Sequence, residues 1–255
     1  MKQKKIIVGN WKMNPETAAR AQEIFRAVSR RAKQFKTVDV VICPPIAYLS
    51  LFKKPSRKHF FLGVQDVFWE RIGAYTGQIS PVMALGLGAS FAIVGHSERR
   101  AQGETDEVVS KKVFSAARSG LRVILCVGER ERNSGGAYFE FLKNQIRASL
   151  AGARSSDLKK ILIAYEPVWA IGRSFKEAMK PADVYEITLF IKKVLTDLFS
   201  KDAALSVPIL YGGSVNFENA GPIIKEGNVD GLLVGRESLD PENFGKLLST
   251  INESQ

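Results

Sequence analysis

Ile161-Leu162-Ile163-Ala164-Tyr165 is an unbroken apolar run closed by Glu166-Pro167, and the next regular pattern starts at Pro181 and carries Val184, Ile187, Ile191, Val194 and Leu198. The run does not alternate apolar with polar, so it reads as a strand buried on both faces, as in a parallel sheet covered by helices. The second pattern, with spacings of three and four, is one face of a helix. Pro181 sits at a first-turn position, where a missing N–H leaves no hydrogen bond unmade. Strand then helix is one βα unit, and the fold depends on how often that unit recurs.

It recurs along the whole chain. Strand-like runs fall at Lys5–Asn10, Val38–Cys43, Phe60–Val64, Phe91–Gly95, Arg122–Val127, Ile161–Tyr165, Pro208–Tyr211 and Gly231–Val234. Helical spacing also appears in Ala18, Ala21, Phe25, Val28, Ala32 and Phe35. Pro15 is placed as a first-turn proline, and Thr105 followed by Asp106 and Glu107 as an N-cap with an acidic first turn. Strict βα alternation without a linker or composition break favours an α/β architecture closed as a single (β/α)8 barrel over residues 1–255. A complete barrel of this type needs about 250 residues.

Composition narrows the class further. Apolar residues make up 45% and charged residues 25% of the chain, a globular mixture with a sizeable core rather than a disordered one. Ile6-Ile7-Val8 is too short for a signal-peptide core and no stretch is long enough to cross a bilayer, so a cytoplasmic location with no membrane partner is expected. Cys43 and Cys126 lie far apart, each in or beside an apolar run, which suits buried reduced thiols; with two His, no structural metal site is expected. The net charge of +11 would draw anions, but its lysines and arginines are scattered without interleaved aromatics. Nucleic acid is therefore not an expected partner.

Barrel active sites lie at the carboxyl ends of the strands, and polar residues follow the runs there. Asn10 and Lys12 follow the first, His96 and Glu98 the fourth, Glu166 the sixth, Gly212-Gly213-Ser214 the seventh and Gly235-Arg236 the eighth. Small residues after the last two strands let backbone N–H groups approach an anion, so a phosphorylated small molecule is the expected substrate; the same glycines also serve plain turns. Glu166 precedes the apolar loop Pro167-Val168-Trp169-Ala170-Ile171, a setting for a base shielded from water, although a strand-end glutamate also fits a structural ion pair.

Removing a proton from carbon beside a carbonyl needs a base on one side and donors for the developing oxyanion on the other. A positioned base supplies about 10²–10⁴-fold, and one oxyanion donor about 10²–10³-fold. Lys12, Asn10 and His96 are donors from other strand ends, and no cofactor is needed for such chemistry. A core histidine and a surface lysine are the plainer readings of His96 and Lys12. The long, partly apolar segment Gln65–Pro81, with Val67, Phe68, Trp69, Ile72 and Tyr75, reads as a dimer interface.

Five motifs in order carry a resemblance: Gly9-Asn10-Trp11-Lys12-Met13-Asn14, Gly73 to Pro81, Val94 to Arg100, Ala164 to Gly172, and Tyr211-Gly212-Gly213-Ser214-Val215. On these the chain resembles the triosephosphate isomerase family over essentially its whole length. The resemblance implies a TIM barrel that interconverts glyceraldehyde 3-phosphate and dihydroxyacetone phosphate. It implies Lys12 as the electrostatic lysine, His96 as the electrophile, Glu166 as the base, and Asn10 and Glu98 in support. Substrate and phosphate contacts would come from Asn10, Lys12, Gly172, Ser214, Gly235 and Arg236. A homodimer with Thr76 reaching the neighbouring site, and Cys126 as a buried cysteine, are implied as well. A neutral histidine and a closing sixth loop are known of the family and are not readings of this sequence.

The chain departs from the family pattern in three places. The lid tip reads Arg173-Ser174-Phe175-Lys176-Glu177-Ala178-Met179-Lys180, the pair after the eighth run is Gly235-Arg236 rather than Gly-Gly, and Gln78 replaces a glutamate of the interface loop. Two other readings compete with an active isomerase. One keeps the barrel and the phosphate site for a different sugar-phosphate reaction; the other is a non-enzymatic basic binding protein. The presence of Lys12, His96 and Glu166 together opposes both.

Overall fold

The computed structural model describes residues 4–52, 58–132, 135–170 and 178–254. Eight strands are found in it: β1 (Lys5–Asn10), β2 (Val38–Cys43), β3 (Phe60–Val64), β4 (Ala89–Val94), β5 (Arg122–Val127), β6 (Ile161–Tyr165), β7 (Ile209–Tyr211) and β8 (Gly231–Val234). Every pairing is parallel and follows chain order, and β1 pairs with β8 through Ile6↔Gly231 to Gly9↔Val234, closing the barrel.

The helices lie between the strands: α1 (Ala18–Ala32), α2 (Ile46–Leu49), α3 (Pro81–Gly86), α4 (Ser97–Ala101), α5 (Asp106–Ser119), α6 (Ala137–Ser149), α7 (Pro181–Leu198), α8 (Lys201–Ser206), α9 (Ala220–Glu226) and α10 (Pro241–Glu253). Thr105 caps α5 by accepting from the Val108 N–H at 3.3 Å, and Pro181 occupies the first turn of α7. Pro15 does not begin α1. The cap there is Thr17, whose hydroxyl accepts from the Arg20 N–H at 3.2 Å, because a Thr side chain satisfies an end donor that proline cannot.

Two expected strands shift by one or two residues. β4 starts at Ala89 and stops at Val94, since Gly95 has φ +72°, which breaks the extended run. β7 starts at Ile209 because Pro208 has no N–H for the ladder; its carbonyl still accepts from the Ile163 N–H at 2.9 Å.

Alternation along each strand splits the core in two. Ile6, Val8, Val41, Cys43, Phe91, Ile93, Ile124, Cys126, Leu162, Ala164, Leu210 and Leu233 fill the barrel interior. Ile7, Val40, Ile42, Val94, Leu125, Ile163 and Tyr211 face the helices, against Ile24, Val28, Val113, Ile146, Ile187 and Leu247 among others. This is why the strands read as continuous apolar runs: both faces are buried, and truncating one such Leu or Ile to Ala costs about 2–5 kcal/mol. Cys43 and Cys126 are free and buried. Among the described residues no helix is long and apolar enough to cross a membrane.

Candidate active site

The inward side of β6 carries Leu162 and Ala164, so the next inward position is 166. Glu166 therefore stands at the carboxyl mouth of the barrel, where it is 2% exposed. Its N–H donates to the Val127 carbonyl at 2.8 Å, fixing it to the end of β5. A Cβ on Gly128 would lie 1.7 Å from the Glu166 carbonyl oxygen and one on Gly212 would lie 3.0 Å from its Cγ, so both glycines make room for it. Asn10 continues the inward series of Ile6 and Val8 on β1 in the same way and is 5% exposed.

His96 lies on the opposite parity and reaches the mouth because Gly95 turns the chain through φ +72°. Its Nδ1 accepts from the Glu98 N–H at 3.2 Å, which leaves the proton on Nε2. That Nε2 faces Glu166 Oε1 at 3.0 Å, and Glu166 Oε2 accepts from the Ser97 N–H at 3.0 Å. Burial pushes the Glu166 carboxyl up, but His96, the Ser97 N–H and Lys12 outweigh it and hold the group below the usual carboxylate range. For His96, burial pulls down, while the Glu166 carboxylate and then Glu98 pull up more strongly, so its pKa is raised in this pairing. Take Glu166 away and burial remains the larger influence on the ring.

Lys12 has φ +52°, a left-handed conformation that costs a non-glycine residue about 1–2 kcal/mol. Two side chains hold it: Asn10 Oδ1 accepts from the Lys12 N–H at 3.0 Å, and Gln65 Nε2 donates to the Lys12 carbonyl at 2.8 Å. The Lys12 Nζ donates to Glu98 Oε1 at 2.6 Å; both side chains are partly exposed, so the pair steers the ammonium more than it stabilises the fold.

A cavity of about 410 Å³ joins these groups, lined by Asn10, Lys12, His96 and Glu166 on one side and Gly212, Gly213, Ser214, Gly235 and Arg236 on the other. A Cβ on Gly235 would meet Lys12 Cε at 3.5 Å, an ordinary van der Waals contact, so this glycine lies beside the lysine. The short 3-10 turn Arg236–Leu239 begins at the cavity, the place where barrels of this type often seat a phosphate. Ser214 donates its hydroxyl to the Ala170 carbonyl at 2.8 Å, linking this side to the turn Val168–Ala170. Gly172 and the lid tip from Arg173 to Glu177 lie outside the described residues. Thr76 is exposed, within an exposed stretch from Glu70 to Gln78.

Glu129 escaped the sequence reading. Among Gly128-Glu129-Arg130-Glu131-Arg132 it resembles one more surface charge, yet it is 1% exposed, and its Oε1 accepts from the Tyr165 hydroxyl at 2.8 Å and from Trp169 Nε1 at 3.0 Å. It thus ties the turn beyond Glu166 to the end of β5. The signal was its position just after the fifth apolar run. Ser97 and Gln65 had no such signal, because the first acts through its backbone N–H and the second from the start of a long loop.

The family model described as triosephosphate isomerase matches residues 5–251. Triosephosphate isomerase of Dictyoglomus thermophilum is 38% identical over 250 residues, covering 97% of this chain and 99% of the relative. The enzyme of that name from Mycolicibacterium vanbaalenii is 42% identical over 255 residues, covering 97% and 96%. The crystal structure of triosephosphate isomerase from Bartonella henselae superposes with a TM-score of 0.84 at 34% identity, covering 97% of this chain and 98% of that one.

Proposed function

The chain belongs to the triosephosphate isomerase family and so interconverts D-glyceraldehyde 3-phosphate and dihydroxyacetone phosphate, a step of glycolysis and gluconeogenesis, and we propose that Glu166, His96 and Lys12 carry the proton transfer. The observation that supports this assignment is the 3.0 Å contact of Glu166 Oε1 with His96 Nε2 inside a cavity that Lys12 also lines. Substrate takes the place of that contact. Glu166 removes a proton from the carbon beside the carbonyl, and His96 Nε2–H donates to the oxygen that gains charge. The Lys12 ammonium and the Asn10 side chain share that charge, with Glu98 steering Lys12. Glu166 then returns the proton to the neighbouring carbon, while the hydroxyl proton passes by way of His96 to the oxygen that had gained charge, so the carbonyl forms on the other carbon. No electrons leave the substrate, so side chains suffice and no cofactor is required.

The phosphate belongs at Ser214, Gly235 and Arg236; Gly172, the remaining expected contact, lies outside the described residues. The charges of Lys12 and Arg236, with Gly235 beside them in the cavity lining, suit a dianion. The working unit is a homodimer of single-domain chains, residues 1–255, in the cytoplasm. Supporting this, Met13 is 94% exposed, and Ile72, 85% exposed, stands with the exposed Tyr75, Val82 and Met83 in one region of sequence. Thr76 lies in that region and would reach the partner's site.

A coupled assay of triose phosphate interconversion, run beside a panel of longer aldose phosphates, tests the reading. Turnover confined to the three-carbon pair is expected. Faster turnover of a longer sugar phosphate would assign the site to a different reaction.

A further inference from the structure

Arg100 belongs to the short helix α4, and its side chain, 12% exposed, turns back beneath the strand ends. Its Nε donates to the Gly95 carbonyl at 2.7 Å, and its Nη2 donates to the Cys126 carbonyl at 3.4 Å and to Ser149 Oγ at 3.2 Å. Its Nη1 pairs with Asp106, the first residue of α5. The Gly95 carbonyl is part of the peptide unit that joins Gly95 to His96, so this guanidinium fixes the plane from which the histidine departs. A Cβ on Gly95 would come within 2.9 Å of Arg100 Nη2 and 3.1 Å of the Val109 methyls. The guanidinium occupies the space a side chain at 95 would take, and both features hold one backbone turn.

We propose that Arg100 is a positioning residue for His96, setting the imidazole's place in the cavity through the Gly95 carbonyl. Resting on the reading of His96 as the electrophile, this goes beyond it by assigning the group that keeps Nε2 on the substrate oxygen. Besides the Nε2 contact with Glu166, whose place substrate takes, the ring is held by the Glu98 N–H on Nδ1, which comes from the same helix as Arg100. Lysine cannot replace the fork: a single ammonium reaches Asp106 or the Gly95 carbonyl, not both along with Cys126.

The test is a double-mutant cycle of Arg100→Lys and His96→Gln, read as kcat and KM with thermal midpoints taken alongside. Arg100→Lys is expected to lower kcat by about 10- to 100-fold with KM changed by less than about threefold, since a misplacement near 1 Å costs up to about 10². In the His96→Gln background the same change should cost less than about twofold, because its effect runs through the missing ring. Equal losses in both backgrounds, or a fall in thermal midpoint with kcat unchanged, would overturn the proposal and leave Arg100 a brace of the fold. A ¹⁵N-histidine spectrum provides a readout independent of turnover, simplified by the chain having His59 and His96 as its two histidines. Arg100→Lys should shift the His96 ring nitrogens and leave those of His59 in place; unmoved His96 signals refute the idea even in a protein that turns over no triose phosphate. Failure of wild-type turnover would count against the family reading instead. Asp106→Asn, which keeps Arg100 but loosens its anchor, should reproduce the shift in weaker form if Arg100→Lys does not fold.

Discussion

Glu166 Oε1 and His96 Nε2 are 3.0 Å apart, so the base and the electrophile are hydrogen-bonded to each other before substrate arrives. Burial lowers the His96 pKa, and the Glu166 carboxylate together with Glu98 more than reverses it. Glu166→Gln should therefore lower the His96 pKa, which an NMR titration of the ring measures. Identical titration in both proteins would contradict the pairing. Stability carries the complementary sign. A carboxyl held below its unfolded pKa contributes stability above that unfolded value and loses it as pH falls through the folded one. Denaturation midpoints of the wild type should fall more steeply on acidification than those of Glu166→Gln.

The same variant tests the chemistry. The amide keeps the shape of the side chain and loses the base, so turnover should fall by at least about 10²-fold. Phosphate-bearing competitive inhibitors should still bind, because the phosphate end of the cavity is untouched. Turnover within about tenfold of wild type would remove Glu166 from the role of base.

Lys12→Met should raise KM and lower kcat together, since the ammonium faces both the bound phosphate sugar and the charge that develops on its oxygen. Asn10 and Gln65 grip the backbone of Lys12 and remain in place, so the loop around position 12 should keep its shape. Steady-state kinetics decide the matter: unchanged values of both constants would put Lys12 among the surface lysines.

Gly212→Ala places a Cβ 3.0 Å from Glu166 Cγ, tighter than carbon atoms normally approach. The base must shift by a few tenths of an ångström or change rotamer. A loss in kcat of about tenfold or more with a small change in thermal midpoint is expected, because placement rather than packing is disturbed. Gly128→Ala is the control. Its Cβ would lie 1.7 Å from the Glu166 carbonyl oxygen, a backbone clash that should prevent correct folding. Full activity in Gly212→Ala would mean that Glu166 tolerates displacement.

The strands were legible because burial on both faces leaves an unbroken apolar run, and runs such as Ile161–Tyr165 and Arg122–Val127 match β6 and β5 residue for residue. Ends were harder where a single residue decides them, as at Gly95, whose dihedral stops β4, and at Pro208, whose missing donor delays the start of β7. The residues picked out at strand ends, Asn10, Lys12, His96, Glu166, Ser214, Gly235 and Arg236, line one cavity. Glu129 follows an apolar run too, but its neighbouring charges make it resemble a surface residue, and the Tyr165 and Trp169 partners that bury it are brought to it only by the folded chain. In the sequence, Gly212 and Gly213 suit backbone approach to an anion. Their nearest obligations are steric, since Cβ atoms there would press on Glu166 and on the Tyr211 hydroxyl.

The β1–β8 ladder joins Ile6 and Gly9 to Gly231 and Val234, across more than two hundred residues of chain. During synthesis the first strand leaves the ribosome long before its last neighbour exists. Lys12 and Asn10 therefore wait on Gly235 for a finished site, and one side of β1 has no partner strand until the eighth repeat emerges. Nascent chains that stop before Gly231 keep two open sheet edges, at β1 and β7, which are templates for sticking to other chains. Closure thus comes late for this molecule: the sheet offers an open edge to other chains until β8 has been made.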